Sequence, residues 1–331
     1  MKYRADIDGL RAVAVILVIL FHAKINLFPG GYIGVDIFFA ISGFLITSII
    51  YPKMLAGNFS FLDFYKRRAR RLLPASIFMT LVTLLVFAFI YPPNLFKTLA
   101  ESAMASLLFS SNFYFWQTSS YFSPNLELQP LLHTWSLSVE EQFYFLFPLS
   151  LVILGLFKLK KNAVLSIVGL ACAMSLFLAY WFAPNNLSFV SFYVLPTRFY
   201  EMGLGALFAI HLTHKPNAFN QFKYLREIGL VMIAIAAIQY DRKLAFPSFY
   251  AVLPVMGTLL MLSDSRTKGL LYKVMCSKPL VFTGLLSYSL YLWHWPIWVC
   301  FEWLTENTSP AYMGAYFALT FKVAYLSYRF I

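Results

Sequence analysis

Arg11 and His22 stand eleven positions apart near the ends of one apolar run, "DGLRAVAVILVILFHA" at 8–23. Eleven residues make about three helical turns and about 16 Å of rise, so on a helix the two side chains share a face at different depths. Ionisable groups inside an apolar segment are costly and point to a pathway, a pairing or a reaction. A histidine titrates near neutral pH and suits general base work. An arginine holds anions. The pair alone also fits a plainer arrangement, with Arg11 reaching cytoplasmic headgroups and His22 at the outer interface.

Other stretches add polar groups. "GGYIGVDIFFAISGFLI" at 30–46 carries Asp36 and the dipeptide Ser42-Gly43, and its glycines permit close backbone approach. "FYKRRARRLLP" at 64–74 sets Arg68 and Arg71 one helical turn apart. Two guanidinium groups so spaced can clamp a phosphate, although a basic run also marks a cytoplasmic loop. "LLHTWSLSVEEQFYFLFP" at 131–148 brings His133, Glu140 and Glu141 together. Ser138 as N-cap with Glu141 at N3 would form a capping box. That leaves Glu140 in an apolar helix, where a histidine partner would offset its cost. In "LPTRFYEMGLG" at 195–205, Arg198 and Glu201 are spaced for an intrahelical ion pair. "SYSLYLWHWPIW" at 287–298 places His294 well inside an apolar run, whereas His211 and His214 read as solvated loop residues. Cys172, Cys276 and Cys300 lie in or beside apolar segments without the spacing of a disulfide framework or a zinc site, and no metal is expected.

The elements that must carry these residues are membrane spans. Of 331 residues, 60% are hydrophobic and 12% charged, with 35 Phe, and mean hydropathy is +0.69. That composition is an all-α polytopic membrane protein. The net charge of +12 sits in short runs between apolar segments, which suits an anionic leaflet rather than a nucleic acid. Ten spans are predicted, at 7–24, 32–51, 72–91, 138–157, 163–183, 198–213, 225–240, 249–263, 281–301 and 311–330. An eleventh stretch, 96–116, is interrupted by Lys97, Glu101 and Asn112 and is predicted to be re-entrant or interfacial. With ten spans, 20 of the 26 Lys and Arg residues fall inside and five outside. A crossing at 96–116 would make the two sides nearly even, so the positive-inside bias predicts ten spans, one domain over 1–331 and both ends in the cytoplasm. His22, Glu140 and His294 then lie in the outer half and the arginine pair at the inner surface. This division suits a cytoplasmic anionic substrate with acid–base chemistry further out. The competing class is a secondary transporter, such as an exporter of a glycan precursor with His and Glu as proton relay, although no internal repeat is visible.

In order along the chain, these motifs resemble the membrane-bound acyltransferase-3 family, the O-acetyltransferases of bacterial surface glycans. The likeness rests on the Arg and His of 8–23, "GGYIGVDIFFAISGFLI", the Arg-x-x-Arg-Leu-x-Pro of "RARRLLP", "HTWSLSVEEQFY" and "SYSLYLWHWPI", with Tyr200 where a tryptophan is common. The resemblance implies a multi-pass protein of the bacterial inner membrane. It would use acetyl-CoA as co-substrate, with no permanently bound cofactor, and a carbohydrate or lipid-linked glycan as acceptor. Lipopolysaccharide O-antigen, peptidoglycan and exopolysaccharide are all candidates. It implies His22 as base, or as a transient acetyl carrier, oriented by Glu140. Arg11, Arg68 and Arg71 would hold the CoA phosphates, with Ser42 and Gly43 beside the donor. Asp36, His133, Arg198, Glu201, Tyr291 and His294 are expected to bind substrate or shape the site. Family members often continue past "SYRF" into a further span and an extracytoplasmic SGNH-type domain, and the same is expected here, in the chain or as a separate partner.

Overall fold

The computed structural model describes residues 3–118, 126–156, 160–183, 188–219, 221–263, 269–305 and 309–331. The loop cations Lys2, Lys158, Arg266 and Lys268 lie outside these residues. The described residues form fifteen α-helices and three short 3-10 turns. In chain order the helices are α1 (Ala5–His22), α2 (Gly34–Leu55), α3 (Phe61–Ala88), α4 (Pro93–Leu107), α5 (Ser111–Thr118), α6 (Thr134–Leu156), α7 (Lys161–Phe182) and α8 (Ser188–Tyr193). They continue with α9 (Leu195–His214), α10 (Leu225–Gln239), α11 (Val252–Ser263), α12 (Leu270–Met275), α13 (Lys278–Leu285), α14 (Ser287–Leu304) and α15 (Pro310–Phe330).

Local chemistry sets several helix ends. Ser60 caps α3 by accepting from the Asp63 amide at 3.3 Å, and Ser309 caps α15 from the Tyr312 amide at 3.4 Å. Proline opens α4, α9 and α15 within their first two positions, where its missing N–H costs nothing.

All ten apolar segments fall in helices, with three differences of boundary. The basic run 66–71 is not a loop: it lies within the 28-residue α3. The stretch 281–301 is broken at Leu286 into α13 and α14, so His294 stands seven residues, about 10 Å, from the start of its helix. The stretch 96–116 is likewise broken, between α4 and α5, where Phe109 takes a left-handed conformation with φ of 53°. At 15 and 8 residues neither piece reaches across about 30 Å of hydrocarbon. Four segments, Gly31–Leu55, Phe61–Ala88, Thr134–Leu156 and Lys161–Phe182, are long and apolar enough to cross by themselves. Large apolar side chains such as Leu81 and Leu85 on α3, and Leu170, Phe177 and Trp181 on α7, are exposed. Helix surfaces of this kind belong in lipid.

The chain divides into two compact units. Unit 1 comprises 1–59 and 140–285; unit 2 comprises 60–139 and 286–331. In unit 1, α2 packs closely along α9: a Cβ added to Gly43 would lie 1.9 Å from the Met202 carbonyl oxygen, and one on Gly205 2.3 Å from that of Ala40. Ile33, Ile37, Ile41, Phe44, Leu10, Ala14 and Ile233 fill its apolar core. One end of the unit is tied by Asp6, which pairs with Arg4 at 2.7 Å and with the buried Arg226 at 3.5 Å. In unit 2, α14 packs on α3 and α15, and α4 on α3 and α5.

Candidate active site

Unit 1 carries His22, Arg11, Asp36, Ser42, Glu140, Arg198 and Glu201. Gly31 lies against the Leu17 carbonyl and Phe21, and Gly34 against the Ala14 carbonyl and Val18. The contact number on α1 falls as that on α2 rises, so the two helices are antiparallel. His22 is the last residue of α1 and half-buried, with the Phe21 ring edge-on at 5.2 Å. Around Phe21 stand Tyr32, at 5.2 Å between ring centroids, and the Arg242 guanidinium, 4.8 Å above the ring. The Tyr32 hydroxyl donates to the Asp241 carbonyl at 3.1 Å.

Arg11 lies in the second turn of α1 and pairs with Asp8 at 3.3 Å; Tyr3 donates to the same carboxylate at 2.7 Å. Asp8 thus offsets part of the charge that a phosphate would otherwise meet.

Glu140 accepts hydrogen bonds on Oε1 from two hydroxyls, Ser42 of α2 and Tyr144 one turn further along α6. Ser42 is eight residues beyond Gly34, about 12 Å along α2. In the antiparallel register it lies at the axial level of the first turns of α1. Glu140 stands at that level, and His22 is at the far end of α1, about 16 Å from Arg11. The expected capping box is absent: α6 begins at Thr134, so Ser138 and Glu141 lie within it, and Ser138 bonds Ser111 at 2.8 Å instead. Gly43 meets the backbone of α9, and Ser42 is engaged with Glu140.

The third group in unit 1 is fully buried. Arg198 Nη1 bonds Asp36 at 2.9 Å and Glu201 at 2.8 Å, while Nε donates to the Phe192 carbonyl at 3.1 Å. The guanidinium lies 4.9 Å and 5.2 Å from the Phe192 and Phe246 rings. Asp36 extends the i, i+3 pair read from the sequence into a triad that joins α2 to α9. The triad is a desolvated tie between the two helices. His211 and His214, expected in a solvated loop, are in the last turn of α9, where His214 meets the Tyr51 hydroxyl at 3.2 Å.

Unit 2 carries Arg68, Arg71, His133, Tyr291 and His294. Arg71 is exposed and Arg68 partly buried, both on α3. The Tyr288 hydroxyl of α14 donates to the Leu72 carbonyl at 3.0 Å, bracing α3 beside Arg71. His133, Tyr291 and His294 form a cluster of three rings with centroids 5.3 to 5.6 Å apart. The Tyr291 hydroxyl donates to the His133 carbonyl at 3.1 Å and shares a 2.5 Å bond with Ser136 Oγ. His294 Nδ1 lies 2.7 Å from the Tyr291 carbonyl. A carbonyl only accepts, so Nδ1 carries the hydrogen and Nε2 is left as the basic nitrogen.

The chain matches the family model described as an acyltransferase domain over residues 4–329. It belongs to the acyltransferase-3 family. Members similar to it include the peptidoglycan O-acetyltransferase OatA of Listeria monocytogenes, 31% identical over all of this chain and 55% of the relative. The putative peptidoglycan O-acetyltransferase YrhL of Bacillus subtilis is 32% identical, over all of this chain and 54% of its own length. The O-acetyltransferase OatA of Staphylococcus aureus is 33% identical, over all of this chain and 57% of its own length. The chain spans about half the length of these curated relatives. No solved structure matches it.

Within this acyltransferase-3 chain, four residues escaped the sequence reading. Tyr144 had a visible signal, since i+4 from Glu140 is hydrogen-bonding distance on a helix. Asp8 stands i−3 to Arg11 and was equally legible. Arg242 and Tyr288 come close to Phe21 and Leu72 through folding alone, and nothing local marks them.

Proposed function

We propose that this domain transfers an acetyl group from acetyl-CoA to a hydroxyl of a cell-envelope carbohydrate, with peptidoglycan, the acceptor named for two of the relatives, as the first candidate over lipopolysaccharide. The observation that carries the proposal is the alignment of the entire chain with three O-acetyltransferases at 31 to 33% identity. The family match favours a transferase over a transporter.

In this reading, an acceptor hydroxyl attacks the thioester carbonyl, a C–O bond forms, the C–S bond breaks, and the thiolate leaves. His22 takes the hydroxyl proton as base, at the end of α1 beside Phe21, which Arg242 and Tyr32 flank. Arg68 and Arg71 hold the CoA phosphates. The exposure of Arg71 and the partial burial of Arg68 suit that role better than Arg11, whose charge Asp8 already meets. Glu140 serves at the level of Arg11. The His133, Tyr291 and His294 cluster shapes unit 2. The chain crosses the membrane ten times with both ends cytoplasmic, so that the donor is met inside and the acceptor outside.

The test incubates membranes holding the protein with acetyl-labelled acetyl-CoA and peptidoglycan. Base-labile label on the glycan, lost in His22→Ala, is the expected result. Label on lipopolysaccharide alone would move the acceptor, and no ester on either glycan would overturn the assignment.

A further inference from the structure

Two hydroxyls from different helices converge on one carboxylate oxygen of Glu140. Ser42 reaches it from α2, and Tyr144 from the next turn of α6. Tyr144 is buried, whereas Ser42 and Glu140 are partly exposed. A hydroxyl donating to a carboxylate makes a charge-assisted bond, stronger than a neutral one. With Oε1 accepting from both, Oε2 is the carboxylate oxygen not engaged by these two hydroxyls. The two bonds also restrict the rotamer of the carboxylate.

We infer that Ser42 and Tyr144 are positioning residues that hold Glu140 by Oε1 and thereby make Oε2 its one working oxygen. The inference rests on the proposed function in taking Glu140 as part of the reaction. It assigns Ser42, expected beside the acyl donor, to the carboxylate instead. The Ser42 tie has a second consequence. α2 is locked along α9 by Gly43 and by the buried Arg198 triad, so Glu140 is referenced to a rigid pair of helices, as a reacting group requires. Tyr144 adds a reference within α6 itself.

The experiment measures transfer from labelled acetyl-CoA to peptidoglycan fragments by the purified full chain in detergent. Tyr144→Phe and Ser42→Ala are each expected to lower kcat roughly tenfold, the range for losing one hydrogen bond to a charged group, with the KM for acetyl-CoA unchanged. Ser42→Thr, which keeps the hydroxyl, is expected to restore most of the rate. In a Glu140→Ala background neither change should cause a further loss, because both act through the missing carboxylate. Raised KM with unchanged kcat, or losses that multiply in full with that of Glu140→Ala, would overturn the inference. A readout independent of turnover separates it from the proposed function: the infrared carboxylate band lost in Glu140→Gln should shift in Tyr144→Phe. An unshifted band overturns the positioning role even where transfer is observed. A wild-type chain that transfers nothing while the band shifts overturns the function and supports the hydrogen-bonded cradle.

Discussion

His22 illustrates how position on a helix divides labour among polar side chains. It ends α1, where the half-exposed ring can meet a reactant. Replacing it by alanine is expected to lower transfer at least about 10²-fold, the usual size of a lost general base, with the protein still inserted and folded. Activity assay and size-exclusion profile together check this. Arg71 of α3 is exposed and Arg68 partly so, and their loss should be felt in binding. Arg68→Ala and Arg71→Ala should each raise the KM for acetyl-CoA about tenfold, and Arg71→Lys should recover only part because the planar fork is lost. Unchanged KM in both alanine variants would make the run a topology signal only. Arg198 behaves in the opposite way. Arg198→Met leaves Asp36 and Glu201 buried without their cation, a loss of about 3–5 kcal/mol, read as a fall in the thermal unfolding temperature in detergent.

At the scale of elements, the close approach of α2 and α9 depends on residues without side chains. Gly43→Leu must push the Met202 carbonyl away from a Cβ that would lie 1.9 Å from it. Because backbone cannot give as a flexible side chain can, the cost should exceed the usual 1–3 kcal/mol of overpacking. Gly155, late in α6, has no heavy atom within 4 Å of an added Cβ. Gly155→Ala should therefore be neutral or stabilising by up to about 1 kcal/mol through helix propensity. Thermal melts of the two variants check the contrast, which pits a glycine needed for packing against one that is merely present. The breaks at Leu286 and at 108–110 belong to this scale as well. The first divides a stretch whose composition reads as one segment, and the second falls in the stretch that Lys97, Glu101 and Asn112 already interrupt.

For the molecule as a whole, the balance of cations predicts which loops face the cytoplasm. With Cys172, Cys276 and Cys300 replaced, a cysteine at the exposed Leu27 should react with an impermeant maleimide on intact cells, and one at the exposed Asn58 only after permeabilisation. The reverse pattern would invert the topology and place the arginines of α3 on the side away from CoA.

The amino-acid sequence by itself determined the all-α, membrane-embedded class, because 60% hydrophobic composition in runs of about twenty residues leaves few other stable solutions. It also determined the family, since "DGLRAVAVILVILFHA", "RARRLLP" and "HTWSLSVEEQFY" retain their order and spacing. Local pairs were legible for the same reason: Arg198 with Glu201, like Arg11 with Asp8, is fixed by helical period alone. Only the tertiary structure decided that Asp36, 162 positions away from Arg198, completes the triad, and that Ser42 holds Glu140 from 98 positions away. Those partners are set by how α2 lies against α1 and α9, which follows from glycine contacts and packed side chains distributed over the helices. Helical periodicity specifies which face a residue occupies but not the axial register between two helices. That register is what brings Ser42 of α2 to Glu140 of α6.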